Sequence, residues 1–381
     1  MSIRFQLIVF MFVRTVLNTV HRMVYPFLPV FARSLGVELS AMSLMITGRS
    51  MLGATSPLFV PIADRRGRKF GMSLGLGLFL FGVGLVAIRP SFWMLVVGLI
   101  LASLGKYLFD PSMQAYFGDR IPYERRGTVL AVTEVSWSMA FIAGIPMVGF
   151  LIDRFGWSAP FPVFTVLGVV IFFVIWCMVP GEDPHHIPTT STRAGYRAVL
   201  TSIPALAGIS IAMWASAANE LVNVIFGVWL EDSFGLKIAA LAGASAVIGI
   251  SELSGEGLVA FTTDRLGKPL ALTIGLILNA LASMLLPWIG ATQVGALVGL
   301  FLFYITFEYV LVSHIPLVSE LVPSARATIL SLNVTGHSLG RALGAFLAGF
   351  IYGEFGFGFV AFTAMLFNLA GILALRRMQK G

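Results

Sequence analysis

Asp64-Arg65-Arg66-Gly67-Arg68-Lys69 is a polar run between two long apolar segments, and a reduced copy, Asp264-Arg265-Leu266-Gly267-Lys268, returns 264 − 64 = 200 residues later. Other features keep the offset. Arg126-Gly127-Thr128 answers to Arg326-Ala327-Thr328, Gly144 to Gly344, Gly149 to Gly349, and Phe155-Gly156-Trp157 to Phe355-Gly356-Phe357. The chain reads as a tandem duplication that carries one loop device twice. In that loop a glycine permits a tight turn, and the aspartate can pair with arginines or cap the N–H groups of the next helix. A loop of positive charge that only fixes topology is the plainer alternative. Repetition at a fixed offset favours a gating role for Asp64, Arg65, Gly67, Arg68, Asp264, Arg265 and Gly267.

The 381 residues are 57% hydrophobic and 11% charged, with a mean hydropathy of +0.91. An ordinary soluble domain has about 25% charged residues, so the composition is that of a polytopic membrane protein. The net charge of +7 sits in short loops and a tail, with no basic face interleaved with aromatics, and no nucleic-acid partner is expected. Cys177 is the only cysteine, which excludes an internal disulfide and a thiol metal site. Arg4 and the apolar run after it resemble a signal peptide, but Arg14 interrupts the run and no small-residue cleavage pattern follows. The run is read as an uncleaved first span.

Apolar segments long enough to cross about 30 Å of hydrocarbon lie at roughly 5–33, 40–63, 70–89, 92–117, 128–152 and 159–179. A second set lies at roughly 197–231, 238–262, 269–288, 292–319, 327–352 and 357–375. The expected fold is an all-α membrane protein of twelve transmembrane helices in two pseudo-symmetric six-helix bundles, residues 1–179 and 197–381. A cytoplasmic linker, 180–196, holds Pro180, Gly181, Pro184 and Pro188. Sixteen loop and tail bases fall on the face with both termini, against Arg33, Arg89, Arg154 and Lys237 on the other. Both termini are therefore expected in the cytoplasm, with the chain multi-pass in the inner (plasma) membrane.

The Asp-Arg-x-Gly-Arg-Lys loop and its copy resemble the signature of the major facilitator superfamily, which stands between helices 2 and 3 and again between helices 8 and 9. The resemblance spans the chain. One departure is that Val60 and Ala260 stand where the family usually has a glycine, four residues before each aspartate. Gly144-Ile145-Pro146-Met147-Val148-Gly149 on the fifth span resembles a degraded form of the glycine-proline motif of the family's antiporters. The family's drug exporters usually carry an arginine near the start of the fourth span, and Leu99 and its neighbours do not supply it. The resemblance implies a secondary transporter, most like the drug:proton antiporters, that works by alternating access as its halves rock.

Ionisable groups inside the spans decide where chemistry is sought, because one near the bilayer centre costs about 2.5–3.5 kcal/mol even on lenient scales. The bases are Arg14, Arg22, Arg49, Lys106 and Arg341; the acids are Asp110, Glu134, Glu220, Glu252, Glu256 and Glu308. Arg14, Asn18, His21 and Tyr25 are spaced 4-3-4 along one helical face. Pro26 and Pro29 break the outer part of that span. Lys106 and Asp110 are four apart and can neutralise each other; Arg49 has no local acid and needs a partner on another helix. Asn333, His337 and Arg341 share a face of the eleventh span, and Glu252 and Glu256, one turn apart, can share a proton or hold a loop.

Candidate substrate-binding residues are Arg14, Asn18, His21, Tyr25, Arg49, Lys106, Trp214, Asn223, Tyr304, His337 and Arg341. Candidate proton-coupling residues are Glu308, Glu134, Glu220 and Asp110, with Glu308 placed first as an isolated acid at mid-depth beside Tyr304 and Tyr309. No phosphate-binding loop occurs, Gly71, Gly75 and Gly77 read as packing residues, and His185-His186 read as solvated. No cofactor, metal or enzymatic activity is expected. The expected partners are a small-molecule substrate, protons and the lipid bilayer, for a monomer. Proton-coupled export of small amphiphilic compounds leads, and transport of an anionic or zwitterionic solute or lipid is the alternative.

Overall fold

The computed structural model describes residues 3–55, 66–121, 132–181 and 192–380. The helices are α1 (Ile3–Arg22), α2 (Leu28–Leu35), α3 (Leu39–Ala54), α4 (Arg68–Ile88), α5 (Phe92–Arg120), α6 (Val132–Phe155) and α7 (Pro160–Met178). They continue as α8 (Thr192–Leu200), α9 (Ile203–Phe234), α10 (Ile238–Leu266), α11 (Lys268–Ile289), α12 (Gln293–Ser319), α13 (Arg326–Phe355) and α14 (Phe357–Lys380). No strand occurs among the described residues. Among them nine helices are long and apolar enough to cross a membrane, or up to ten if α2 and α3, bent by 116°, form one broken span. The linker expected at 180–196 falls largely on 182–191, outside the described residues, as do Asp64 and Arg65.

The segment expected as the first span, 5–33, is in two pieces. α1 stops at Arg22, residues 23–27 form a turn, and α2 resumes at Leu28 with Pro29 in its first turn. Proline has no N–H to donate and tolerates only a helix's first turn, so Pro26 and Pro29 place the break. Tyr25 accordingly lies in the turn and not on the helical face it was expected to share. In α6 the backbone widens into a π-helical turn over Ala140–Gly144, where Ile145 N–H bonds Ala140 O just before Pro146. Such single wide turns commonly accommodate local strain at functional helices.

The duplication shows in the backbone. All six glycines with positive φ among the described residues fall into pairs about one repeat apart: Gly67 with Gly267 and Gly156 with Gly356 at 200 residues, and Gly36 with Gly235 at 199. Gly67 (φ 89°) and Gly267 (φ 81°) open α4 and α11 in a conformation other residues rarely adopt, which is the tight turn expected of the polar loop. Ser91 and Thr292 repeat as N-caps, accepting from Met94 N and Gly295 N.

The chain forms two compact units: residues 1–37, 55–188 and 237–249, and residues 38–54, 189–236 and 250–381. In the first unit α4 and α5 meet through glycines. A Cβ on Gly75 would lie 2.6 Å from Gly105 O, and one on Gly82 would lie 2.4 Å from Gly98 O. The start of α10 lies along α6, with Gly149 facing Ala242 and Gly249 facing Ser138 O. In the second unit α3 lies along α13, with Gly349 facing Ser43, while Gly336, Gly340 and Gly344 of α13 seat on the backbone of Ile209, Met213 and Ala217 of α9. Small residues let lipid-embedded helices approach closely where no hydrophobic force drives them together.

Candidate functional site

In the first unit α1, α5 and α6 bring four embedded charges together. Arg14 is buried, and its Nε donates to Asp110 Oδ1 (3.2 Å) while Nη1 and Nη2 donate to Glu134 Oε1 and Oε2 (2.9 and 3.1 Å). Nη1 also donates to Thr133 O at 2.8 Å. The fork thus grips one carboxylate bidentately, the geometry that suits arginine. Lys106 Nζ donates to the other oxygen of Asp110. Two bases and two acids form a charge-balanced chain, Glu134–Arg14–Asp110–Lys106. Its ends differ: the Glu134 side chain is 46% exposed, whereas that of Asp110 is 17% and that of Lys106 10% exposed.

The rest of the α1 stripe follows the same face. Asn18 Nδ2 donates to Ser136 Oγ (3.3 Å), which in turn donates to Thr133 O, and His21 Nδ1 lies 3.3 Å from Ser103 Oγ. Tyr25 is buried in the turn that follows. Arg22, the last residue of α1, is buried with its guanidinium 4.2 Å from the Trp137 ring centroid and 3.4 Å from that of Phe141, donating to Trp137 O. Lys106 Nζ approaches the same indole at 5.7 Å. Trp137 is thus a site residue that the sequence reading missed; an aromatic one turn beyond Glu134 was its only signal.

The second unit distributes polar groups differently. Tyr304 OH donates to Asn223 Oδ1 (2.9 Å), and Asn223 Nδ2 donates to Glu220 Oε2 (3.4 Å), a short run from α12 to α9 with all three residues buried. Glu220 faces Gly344 of α13, and buried Glu308 packs its Cβ where Gly255 of α10 leaves room. His337 Nδ1 bonds Ser216 Oγ at 2.7 Å, Arg341 lies half-buried one turn on, and Trp214 packs against Phe367. Arg49 is buried on α3 within this unit. Asn279 and Asn368, absent from the expectations, form a buried amide pair joining α11 to α14 at 2.8 Å.

Each polar loop ties the start of one helix to the end of the next. Arg68 Nε donates to Asp119 Oδ2 (3.2 Å), joining α4 to α5, and Lys268 Nζ donates to Glu320 Oε1 (2.6 Å), joining α11 to α12. The Lys268 ammonium, by hydrogen bond and charge, holds the exposed Glu320 carboxyl below its ordinary value. Asp119 and Glu320 carry no signal beyond their place near a span end. Arg265 is exposed at the close of α10, and of Asp264 beside it only the backbone is described.

Comparison with known proteins agrees with this architecture. The model of the Major Facilitator Superfamily matches residues 8–323. A Bacillus subtilis (strain 168) protein, "Uncharacterized MFS-type transporter YceJ", is 26% identical over 95% of this chain and 93% of its own. A Pasteurella multocida (strain Pm70) protein, "Probable sugar efflux transporter", is 22% identical over 96% of this chain and 89% of its own. Among solved structures, a bacterial homolog of the human lysosomal transporter Spinster aligns with a TM-score of 0.80 at 15% identity, covering 99% of this chain and 98% of that one. A POT family transporter aligns with a TM-score of 0.80 at 13% identity, covering 98% and 96%. These two structural likenesses concern the fold.

Proposed function

The chain belongs to the Major Facilitator Superfamily, a family of membrane transporters and not of enzymes, and on that premise we propose that it exports small amphiphilic compounds, cations foremost, in exchange for protons by alternating access. The reading includes twelve spans in two six-helix halves, residues 1–179 and 197–381, in the inner membrane with both termini cytoplasmic. The observation that carries it is the Glu134–Arg14–Asp110–Lys106 chain, in which a half-exposed carboxylate is held by a buried arginine.

Protonating Glu134 neutralises it and releases one side of the Arg14 fork, which leaves Arg14 to Asp110 and Thr133 O. A cation reaching Glu134 competes with the same proton for the same carboxylate, and that competition is what an exchanger needs. This shifts first place from Glu308, which is buried against α10, to Glu134; Asp110, Glu220 and Glu308 remain candidates for further proton steps. The description of one relative as an efflux transporter agrees with outward transport.

Transport of an anionic or zwitterionic solute or lipid would draw on Arg14, Arg49 and Lys106, of which Arg14 and Lys106 would have to leave the acids that hold them. The two readings separate in one experiment. The purified protein in liposomes is given an inside-acid or inside-alkaline pH gradient and a panel of lipophilic cations, organic anions, neutral sugars and zwitterionic lipids. Gradient-driven movement of cations opposite to protons supports the proposal; movement of anions alone, or no dependence on the gradient, overturns it.

A further inference from the structure

His314 of α12 is buried, and its Nε2 lies 2.9 Å from the carbonyl oxygen of Gly208 on α9. A carbonyl only accepts, so Nε2 carries the proton, and in the neutral ring Nδ1 is a bare lone pair. No protein group among the described residues bonds that Nδ1. On α13, His337 is anchored through Nδ1 to Ser216 of α9, and its Nε2 is likewise buried with no protein partner. The two ring centroids lie 6.2 Å apart at 83°. Two imidazoles from different helices, each fixed through one nitrogen to α9, thus have their other nitrogens buried without a protein partner among the described residues.

We infer that His314 and His337 form a buried proton-binding site in the second unit, which takes up one proton shared between the two rings through a single water. A lone pair calls for a donor, and a buried acceptor left without one is costly. The rings stand edge to face with centroids 6.2 Å apart, close enough for one bridging water to be the simplest donor both could share. Two imidazoliums that close repel each other, so the second proton is refused. A transition metal fits less well, since the described residues contain no group of three or more His, Cys, Asp or Glu side chains to complete its coordination.

The helices of the pair also carry Glu220, Glu231 and Asp232 on α9, Glu308 on α12 and Arg326, Arg341 and Glu354 on α13; Arg49 lies on α3, packed along α13, and Glu252 and Glu256 on α10, packed on α12. Burial and the Arg341 charge work against protonation, which limits the pair to one proton. Lys268 of α11 is engaged by Glu320, and Arg376 and Arg377 of α14 are exposed. The site joins α9, α12 and α13, and the first two also hold the Tyr304–Asn223–Glu220 run. Its proton would add to, and is independent of, any carried by Glu134; the inference stands whatever the substrate.

The test is a 15N NMR titration of the full-length protein, labelled at histidine, in nanodiscs from pH 9 to pH 5. His314→Gln and His337→Gln assign the two signals. The expected result is that both rings respond in one step amounting to a single proton per pair, and that in either variant the remaining ring's midpoint moves by about one pH unit or more. Independent titration of each ring to a full proton, or two rings that stay neutral throughout, would overturn it. A zinc titration of the same sample separates the metal: displacement of both signals by stoichiometric Zn2+ with no shared proton step would assign the pair to metal instead. Replacing His21, His185 and His186 with glutamine instead leaves the pair's signals as the only two, so the titration decides the matter even if neither His314→Gln nor His337→Gln folds.

Discussion

The two units are built on one scaffold and hold different polar arrangements. The first holds a continuous ionic chain, in which Arg14 binds Glu134 and Asp110, and Lys106 binds Asp110. The second holds a run from Tyr304 through Asn223 to Glu220, an Asn279–Asn368 amide pair and the His337–Ser216 contact. Yet the scaffold contacts repeat, since Gly149 faces Ala242 of α10 as Gly349 faces Ser43 of α3, and Arg68–Asp119 recurs as Lys268–Glu320. Duplication preserved the packing and freed the chemistry. The difference teaches that helix seams and loop ties are set by backbone geometry, which both copies share, whereas side chains facing the polar interior can diverge without disturbing them.

The largest expected effect follows from breaking the ionic chain at its centre. Arg14→Ala leaves two carboxylates without their shared base, and removing one partner of a buried pair costs about 3–5 kcal/mol; the exposure of Glu134 places this near the lower bound. Thermal melts should fall sharply and substrate binding should be lost, while Arg14→Lys, which cannot fork, should restore stability but only part of the binding. If Arg14→Ala binds substrate at wild-type strength, the chain is a structural device alone.

Next comes the seam of the second unit. A Cβ on Gly340 would stand 2.0 Å from Met213 O, whereas one on Gly77 meets nothing within 4 Å. Gly340→Leu should therefore cost at least the upper end of about 1–3 kcal/mol seen for overpacking, and Gly77→Ala should be near neutral. Equal melting temperatures for the two variants would refute the seam.

A smaller effect is expected in the Tyr304–Asn223–Glu220 run. Tyr304→Phe strips the donor from Asn223 Oδ1 in a buried setting and should cost about 1–2 kcal/mol, read by chemical or thermal unfolding, with transport slowed and not abolished. Should Tyr304→Phe abolish transport outright, the second unit carries more of the mechanism than the first.

The smallest effect concerns the outer tie. Lys268 lowers the Glu320 carboxyl, so whatever the pair contributes is present above the ordinary glutamate range and is lost as pH falls through the lowered value. Glu320→Gln should differ from wild type only slightly near neutral pH, and the difference should vanish in acid or at high salt. A gap that widens as pH falls would reverse the sign and exclude the pairing as its cause.

Much of the fold was legible because its signals are local. The polar loop and the break at Pro26 and Pro29 need only neighbouring residues, the offset of 200 needs only the chain set against itself, and the Lys106–Asp110 pair needs only helical spacing. Arg14 with Glu134 was not legible as a pair, because 120 residues separate them and nothing in either span names the other. The grouping of α3 with the second unit was likewise hidden, since chain order assigns it to the first. His314 carried the same signal as the embedded charges, an ionisable group in an apolar span, but only its neighbours on α9 and α13 single it out. Trp137 and Asn279 were invisible for a different reason: an aromatic or amide in a membrane helix becomes informative only once its neighbours are known.

The most direct test of the central claim compares Glu134→Gln with wild type in liposomes under an imposed pH gradient. Glutamine keeps the shape of the side chain and imitates its protonated form, so the Arg14 fork loses the charge that responds to protons. Gradient-driven accumulation of a lipophilic cation should disappear, while counterflow exchange of the same cation without a gradient continues. Accumulation at the wild-type level in Glu134→Gln would contradict the account and return the coupling role to Glu308.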